Sequence, residues 1–525
     1  MINVSAFWAA QKQQYSLWLL AGILIVAAGL RLPMLSQVPS GFYCDEASNG
    51  YDAYSILMTG RDRHGKFLPL FPKAFGEYKE GANIYYSIPF IALFGLNEWS
   101  VRMYSAVIGL LTIGLLYLLV KEAFDTKTAL AAALFLTVSP WHMHFSRVAL
   151  QCILFPLPFC AALLFFLKGI KGAVKNLYIS IAFFCLSLWT FFPARAFVPG
   201  FFLVLVCLYA RELCRLKKHA GIAMGIFIVG LILFMLFWFS PQGTVRMNQV
   251  KNFELAKNVR NYFTYFSPSF LFLRGDRNLR HSMPFGGELQ LFEVITVLIG
   301  LGVLLVRVRK KESRLFLLWL ILFPFPAMFS YTSATRSFSG ALILAVISGV
   351  GFTFLASLWR TKQAKKIFYA LSLMVIFIST GIYAHHYFIE YPRKSAYLWQ
   401  YGMREAIMFT QKSACERIII SNQWGEKTLH QAYIFVLFFT RYDPHILQRD
   451  VPRIHPWGRG KFGKYHILRV PEDLDVPQKS LLITTPSELK SLPSNKYDWE
   501  TRHVIKGPRG KELLKIIEIC NKKIN

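Results

Sequence analysis

Two adjacent acids, Asp45 and Glu46, follow closely on an apolar run of helix length, in a chain that carries 59 Lys and Arg against 29 Asp and Glu. Desolvation and like charge raise one pKa of such a pair, which suits it to general acid–base work. Asp45 would serve equally as the N-cap of a helix beginning at Glu46, and the two roles are compatible. Neither acid belongs inside a bilayer. At the centre of a span each would cost roughly 2.5 to 3.5 kcal/mol, so the pair is expected at the water interface.

The elements that must hold it there are apolar helices. With 54% hydrophobic and 16% aromatic residues in 525, the chain is too apolar for a soluble protein of its length. Apolar runs near 17–35, 101–120, 149–167, 196–210, 221–240, 289–306, 315–331, 338–359 and 367–385, with shorter ones near 128–139 and 177–191, predict about eleven transmembrane helices. The first is expected to be retained, since Pro33 and Pro39 follow it without a small-residue cleavage pattern. Basic clusters at Lys168/Lys171/Lys175, Arg211/Arg215/Lys217/Lys218, Arg307/Arg309/Lys310/Lys311/Arg314 and Arg360/Lys362/Lys365/Lys366 fall in every second loop, which places those loops in the cytoplasm. Residues 36–100, 140–147, 192–195, 241–288 and 331–336 are then external.

Within 36–100, helical patterns around Glu46 to Met58 and Asn83 to Phe94 predict short interfacial helices. Beyond His385 the composition changes. Ile418 to Ser421 and Ser480 to Thr485 read as strands, and Ser395 to Gln411 and Glu426 to Thr440 as helices. The expected fold is therefore a polytopic α-helical membrane domain, 1–385, with a soluble extracytoplasmic α/β domain, 386–525. A net charge of +30, dispersed among apolar helices, points to anionic lipid and not to nucleic acid. The eight Cys contain no CxxC, and Cys152, Cys160, Cys185 and Cys207 fall in apolar runs, so neither a disulfide framework nor a zinc finger is indicated.

The order of motifs resembles a known superfamily. Asp45-Glu46 follows the first span, Gly76-Glu77 through Asn83-Ile84-Tyr85-Tyr86 precedes the next, and Ser139-Pro140-Trp141-His142, Phe145-Ser146-Arg147 and Pro193-Ala194-Arg195 come after. Over residues 16–385 this resembles the GT-C glycosyltransferases that use polyprenyl-phosphate sugars, in the manner of bacterial relatives of the protein O-mannosyltransferases, the lipid A aminoarabinose transferase (ArnT) and the Rgt-type transferases. The resemblance implies a sugar delivered outside the cytoplasmic leaflet and transferred with inversion to an envelope lipid, glycan or protein, at the plasma membrane. The chain shows no P-loop and no dinucleotide fingerprint after a strand, in agreement with a donor that is not a nucleotide sugar.

In that reading Asp45 is the base for the acceptor hydroxyl and Glu46 its support. The leaving lipid phosphate needs cations, and the forked guanidinium suits it; Arg147, Arg195 and Arg336 stand at external span ends, where snorkelling to headgroups is the plain alternative. The 241–288 loop is expected over the active site, with His281 at phosphate or sugar, and Glu77 and Glu80 at acceptor or metal. Each of these three could equally be an ordinary solvated side chain. No cofactor is required. A divalent metal lacks clear ligand spacing, since His142 and His144 lie two apart in a turn. Arg147 is followed by Val148-Ala149-Leu150-Gln151 where protein mannosyltransferases commonly carry an acid, which weakens transfer to protein. The alternative, a transporter or flippase of lipid-linked sugars, would show repeats or polar broken helices at the bilayer midplane.

Overall fold

The computed structural model describes residues 4–241, 243–244, 254–421, 423–424, 427–428, 431–450, 460–468, 479–492 and 497–522. Parts of the expected 241–288 loop and of the expected 426–440 helix lie outside the described residues. The chain divides into two compact units, Met1–Pro33 with Ser105–His386, and Met34–Tyr104 with Tyr387–Asn525.

The first unit is helical. Each of the eleven apolar runs forms a helix, because long apolar stretches satisfy every backbone group internally. Among the described residues six helical stretches have the length and hydropathy to cross a membrane: Gln13–Arg31, Glu98–Ala123, Gln151–Ile170, Lys217–Trp238, Ser339–Leu358 and Lys362–Ser395. The remaining five runs give shorter helices, Thr126–Val138, Lys175–Thr190, Ala194–Leu208, Glu293–Val306 and Lys311–Leu322. Ser339–Leu358 is buried over most of its length and packs on Thr126–Val138 and Glu293–Val306. Small residues allow that approach: a side chain at Gly300 or Gly351 would run into the facing helix backbone.

The second unit joins the first loop to the tail. The helices Cys44–Thr59 and Ala82–Phe94 form as the sequence patterns predict, with a short hairpin of Lys73–Ala74 and Glu77–Tyr78 between them. Among the described residues the tail builds a six-stranded mixed sheet in the order Gly460–Phe462, Tyr465–Leu468, Ile418–Ser421, Ser480–Thr484, Glu512–Lys522, Tyr497–Lys506. Ile418–Ser421 runs parallel to both neighbours, as a strand of three isoleucines buried along its whole length should. Its core contains Ile419, Leu482, Tyr497, Ile517 and Ile519. The tail helix Ala432–Phe439 packs against Cys44–Thr59, with Phe438 and Phe42 centroids 4.8 Å apart.

Candidate active site

The acidic helix starts one residue before Asp45. Its N-cap is Tyr43, whose N–H donates to Glu46 Oε2 at 3.1 Å, so Glu46 and not Asp45 satisfies the helix end. The two acids consequently have opposite surroundings. Glu46 is fully buried in a two-pronged ion pair with Arg102, Nε to Oε1 at 2.9 Å and Nη2 to Oε2 at 2.8 Å. Asp45 keeps 43% of its side chain exposed, with the buried Lys79 ammonium 4.0 Å away.

Arg102 organises the backbone in front of that helix. Its Nη1 donates to the carbonyls of Leu35 and Pro39 at 2.9 and 3.1 Å, and its Nη2 to that of Gly41 at 2.8 Å. Phe42 and Trp399 cover the guanidinium face at 5.4 and 5.7 Å. Gly41 sits at φ +93°, and a Cβ there would collide with the Trp399 carbonyl. From the tail, Gln400 Oε1 accepts the Cys44 N–H at 2.8 Å and the Pro392 carbonyl accepts the Ser40 hydroxyl at 2.6 Å. Tail residues therefore fix the first turn that carries Asp45.

A second buried group lies along the same helix. Asp52 accepts the Arg63 N–H at 3.3 Å and faces the Arg63 guanidinium at 3.6 Å. Burial pushes the Asp52 carboxyl up to about 6, against the pull of Arg63. Burial holds the Lys79 ammonium below its usual range, while Asp45 pulls the other way.

The arginines expected at a phosphate, Arg147, Arg195 and Arg336, belong to the first unit. Arg336 is half-buried, its guanidinium 4.8 Å over Tyr331. Its loop is pinned on both sides: the Ser333 N–H donates to the Tyr265 hydroxyl at 3.0 Å, the Ala334 N–H to Asp276 Oδ2 at 2.8 Å, and the Trp141 indole N–H to the Ala334 carbonyl at 2.9 Å. Asp276 Oδ2 also meets His281 Nδ1 at 3.0 Å, and the His144 ring nitrogen Nε2 lies 2.8 Å from the Arg280 carbonyl. One loop thus ties His281 to the segment presenting Arg336.

A sequence profile of the family described as dolichyl-phosphate-mannose-protein mannosyltransferase matches residues 85–238, less than half of the chain. The structure is similar to ArnT from Cupriavidus metallidurans in the apo state, at TM-score 0.59 and 14% identity, over 98% of this chain and 100% of that one. The fold is that of the GT-C glycosyltransferases. The same ArnT bound to undecaprenyl phosphate matches at TM-score 0.55 and 12% identity, over 97% and 99% of the two chains. The Archaeoglobus fulgidus oligosaccharyltransferase in its apo form matches at TM-score 0.51 and 12% identity, over 98% and 75%. No curated protein matches the chain by sequence. A GT-C fold with these apolar helices makes this an integral membrane protein.

Within the GT-C frame, the expected site residues separate by surroundings. Arg147, expected at a phosphate, is fully buried and donates to the carbonyls of Leu30, Arg31 and Pro33 at 3.1, 2.9 and 2.7 Å, closing the open end of the first helix. Arg195 is buried among Phe192, Phe234, Phe237 and Trp238, with centroids 4.9 to 6.0 Å from its Cζ. Glu80 is fully buried, whereas Glu77 is partly exposed in the hairpin. His142 Nδ1 accepts from Arg31 at 3.0 Å, so the two histidines of the Trp141-His142-Met143-His144 turn serve different partners. Among the described residues no three His, Cys, Asp or Glu side chains group to hold a metal ion.

The residues that sequence reasoning passed over are Arg31, Arg102, Lys79 and Gln400. The two arginines carried a usable signal, since a cation inside an apolar helix demands an anion or carbonyls. Gln400 carried none: only folding brings it to the helix start.

Glu288 gives a measurable pH effect. Burial pushes its carboxyl up to about 8, with the Asp276 carboxylate adding and the Asp276 N–H and Ser282 hydroxyl opposing. The folded loop therefore keeps a proton that the unfolded chain releases above about 4.5. That contribution to stability is complete below pH 4.5 and is lost as pH rises through about 8. Glu288→Gln is expected to flatten the fall in melting temperature between pH 5 and 8. Identical slopes for the two proteins would remove Glu288 from the account.

Proposed function

We propose that the protein is an inverting glycosyltransferase that moves a sugar from a polyprenyl-phosphate carrier to an envelope lipid, glycan or protein on the extracytoplasmic side of the plasma membrane. In this reading about eleven helices cross the bilayer, and the tail and first loop are external. The observation that carries it is one exposed carboxylate, Asp45, held in the first turn of a helix whose neighbouring acid is consumed by Arg102, on a GT-C fold that covers nearly the whole chain. ArnT binds undecaprenyl phosphate, which supports a donor of the same class here.

The acceptor oxygen attacks the anomeric carbon, and the acceptor proton passes to Asp45. The bond between that carbon and the phosphate oxygen breaks, its electron pair leaving with the polyprenyl phosphate, which gains negative charge. Arg336 stabilises that charge through its forked donors, and His281 supports the loop that presents it. Arg147 holds the first helix, and Arg195 acts from its aromatic cage. No resident cofactor enters this scheme.

The test is mass spectrometry of envelope lipids, glycans and secreted proteins from the native host, comparing wild type, a deletion, and the deletion complemented with Arg336→Ala. A sugar missing in the deletion and restored in full only by wild type is expected, and its attachment point names the acceptor. An unchanged glycan profile, with lipid-linked sugar accumulating on one leaflet, would replace transfer by transport.

A further inference from the structure

The helical unit contains a groove of about 490 Å³ that none of the candidate site residues lines. Phe166, Leu177, Ile181, Phe202, Val206 and Met224 form its apolar walls. Lys217 is the one charged residue among those lining it, and both it and Cys214, which also lines the groove, are exposed. The volume is that of a site for one small ligand.

The rim is basic and has little acid to balance it. Lys217 is exposed and follows Arg211 and Arg215 on the short connection into the Lys217–Trp238 helix, with Lys218 next. Glu212, the acid on that connection, already receives the Lys311 ammonium on both oxygens at 2.6 Å. Lys217 adopts φ +29°, a conformation uncommon for a residue with a side chain, at the bend between the two helices. Above the rim, Ile222, Ile226, Val229 and Leu233 are exposed. In an integral membrane protein such a face meets lipid tails. The groove thus combines an apolar interior, an exposed apolar helix face beside it, and an excess of basic over acidic side chains at its end, where Glu212 is shared between Lys311 and Arg215.

We propose that the groove holds an acyl chain of an anionic phospholipid from the surrounding leaflet, with Lys217 and its basic neighbours facing the headgroup phosphate. This lipid is neither donor nor acceptor, and the inference stands apart from the transfer reaction. On the proposed topology the leaflet is the cytoplasmic one, where anionic headgroups attract basic segments.

The full-length protein in neutral detergent is titrated with phosphatidylglycerol or with phosphatidylcholine of the same acyl chains, and bound lipid is counted by native mass spectrometry. Wild type is expected to retain one phosphatidylglycerol at a concentration about five-fold lower than phosphatidylcholine, the preference one basic side chain supplies near a surface. Lys217→Gln should remove most of that preference while leaving retention of phosphatidylcholine. Gly221 lines the groove and a Cβ there meets no atom within 4 Å, so Gly221→Leu should extend into the groove without disturbing the helix and abolish retention of both lipids. Ala220→Phe provides a second filling variant, and a wild-type melting temperature without added lipid confirms that each is folded. Equal retention of the two headgroups by wild type would overturn the proposal. So would folded Gly221→Leu and Ala220→Phe proteins that still hold lipid, or displacement of phosphatidylglycerol by an equimolar polyprenyl phosphate.

Discussion

Asp45→Asn is expected to lower sugar transfer to a hydroxyl acceptor by about 10³-fold, within the range for loss of a general base, while binding of the lipid-linked donor and the melting temperature stay close to wild type. That fall is about 4 kcal/mol of transition-state stabilisation. The substitution changes no volume and removes only the capacity to accept a proton. It spares the fold because Asp45 caps nothing: the Tyr43 N–H is taken by Glu46 and the Cys44 N–H by Gln400. Its one ionic neighbour among the described residues, Lys79, stands 4.0 Å away and also feels the Asp52 carboxylate. Single-turnover transfer assays with purified protein, set beside a donor-binding isotherm, separate the two effects. A kcat unchanged by the substitution would take the base role from Asp45. An intermediate fall, about 10-fold, would point to an acceptor that arrives as an ionised phosphate, since such an oxygen needs no base and Asp45 would then act mainly through its charge.

What could be read from the sequence follows from which interactions are local. The apolar runs, the two loop helices and the strands Ile418–Ser421 and Ser480–Thr484 were legible because burial imposes either a helical period or, in a strand covered on both faces, an unbroken apolar run on neighbouring residues. The long pair Tyr497–Lys506 and Glu512–Lys522 went unread, as its charged residues, such as Glu500, Arg502 and Lys515, mask the alternation. Asp45-Glu46 stood out as a pair, yet their separate roles did not. The partner that claims Glu46 is Arg102, 56 residues away in the chain, and the same guanidinium holds the carbonyls of Leu35 and Pro39. Arg147 and Arg195 looked like Arg336 in sequence, each at the end of a span. Only the fold distinguishes carbonyl partners, an aromatic cage and a half-exposed guanidinium.

Glu46→Ala should be the opposite kind of lesion, one that removes activity by removing the fold of the unit formed by 34–104 and 387–525. Taking away one partner of a buried ion pair leaves an uncompensated charge and costs about 3 to 5 kcal/mol, and here the orphan would be the fully buried Arg102 guanidinium. The Tyr43 N–H would lose its acceptor at the same stroke. Thermal melting and limited proteolysis in detergent are expected to show early cleavage between residues 34 and 104 in Glu46→Ala and none in Asp45→Asn, although both lose transfer. Replacing both partners, Glu46→Met with Arg102→Met, distinguishes charge from architecture. If the arginine mattered only as a counter-ion, the double variant would recover wild-type stability, because a buried ion pair exchanged for apolar side chains is often neutral. Arg102 also supplies the donors for the carbonyls of Leu35, Pro39 and Gly41, and each buried carbonyl left unpaired costs about 1 to 3 kcal/mol. The double variant should therefore remain well below wild type. Full recovery would show that those carbonyls find other donors and that the turn before Asp45 does not depend on Arg102.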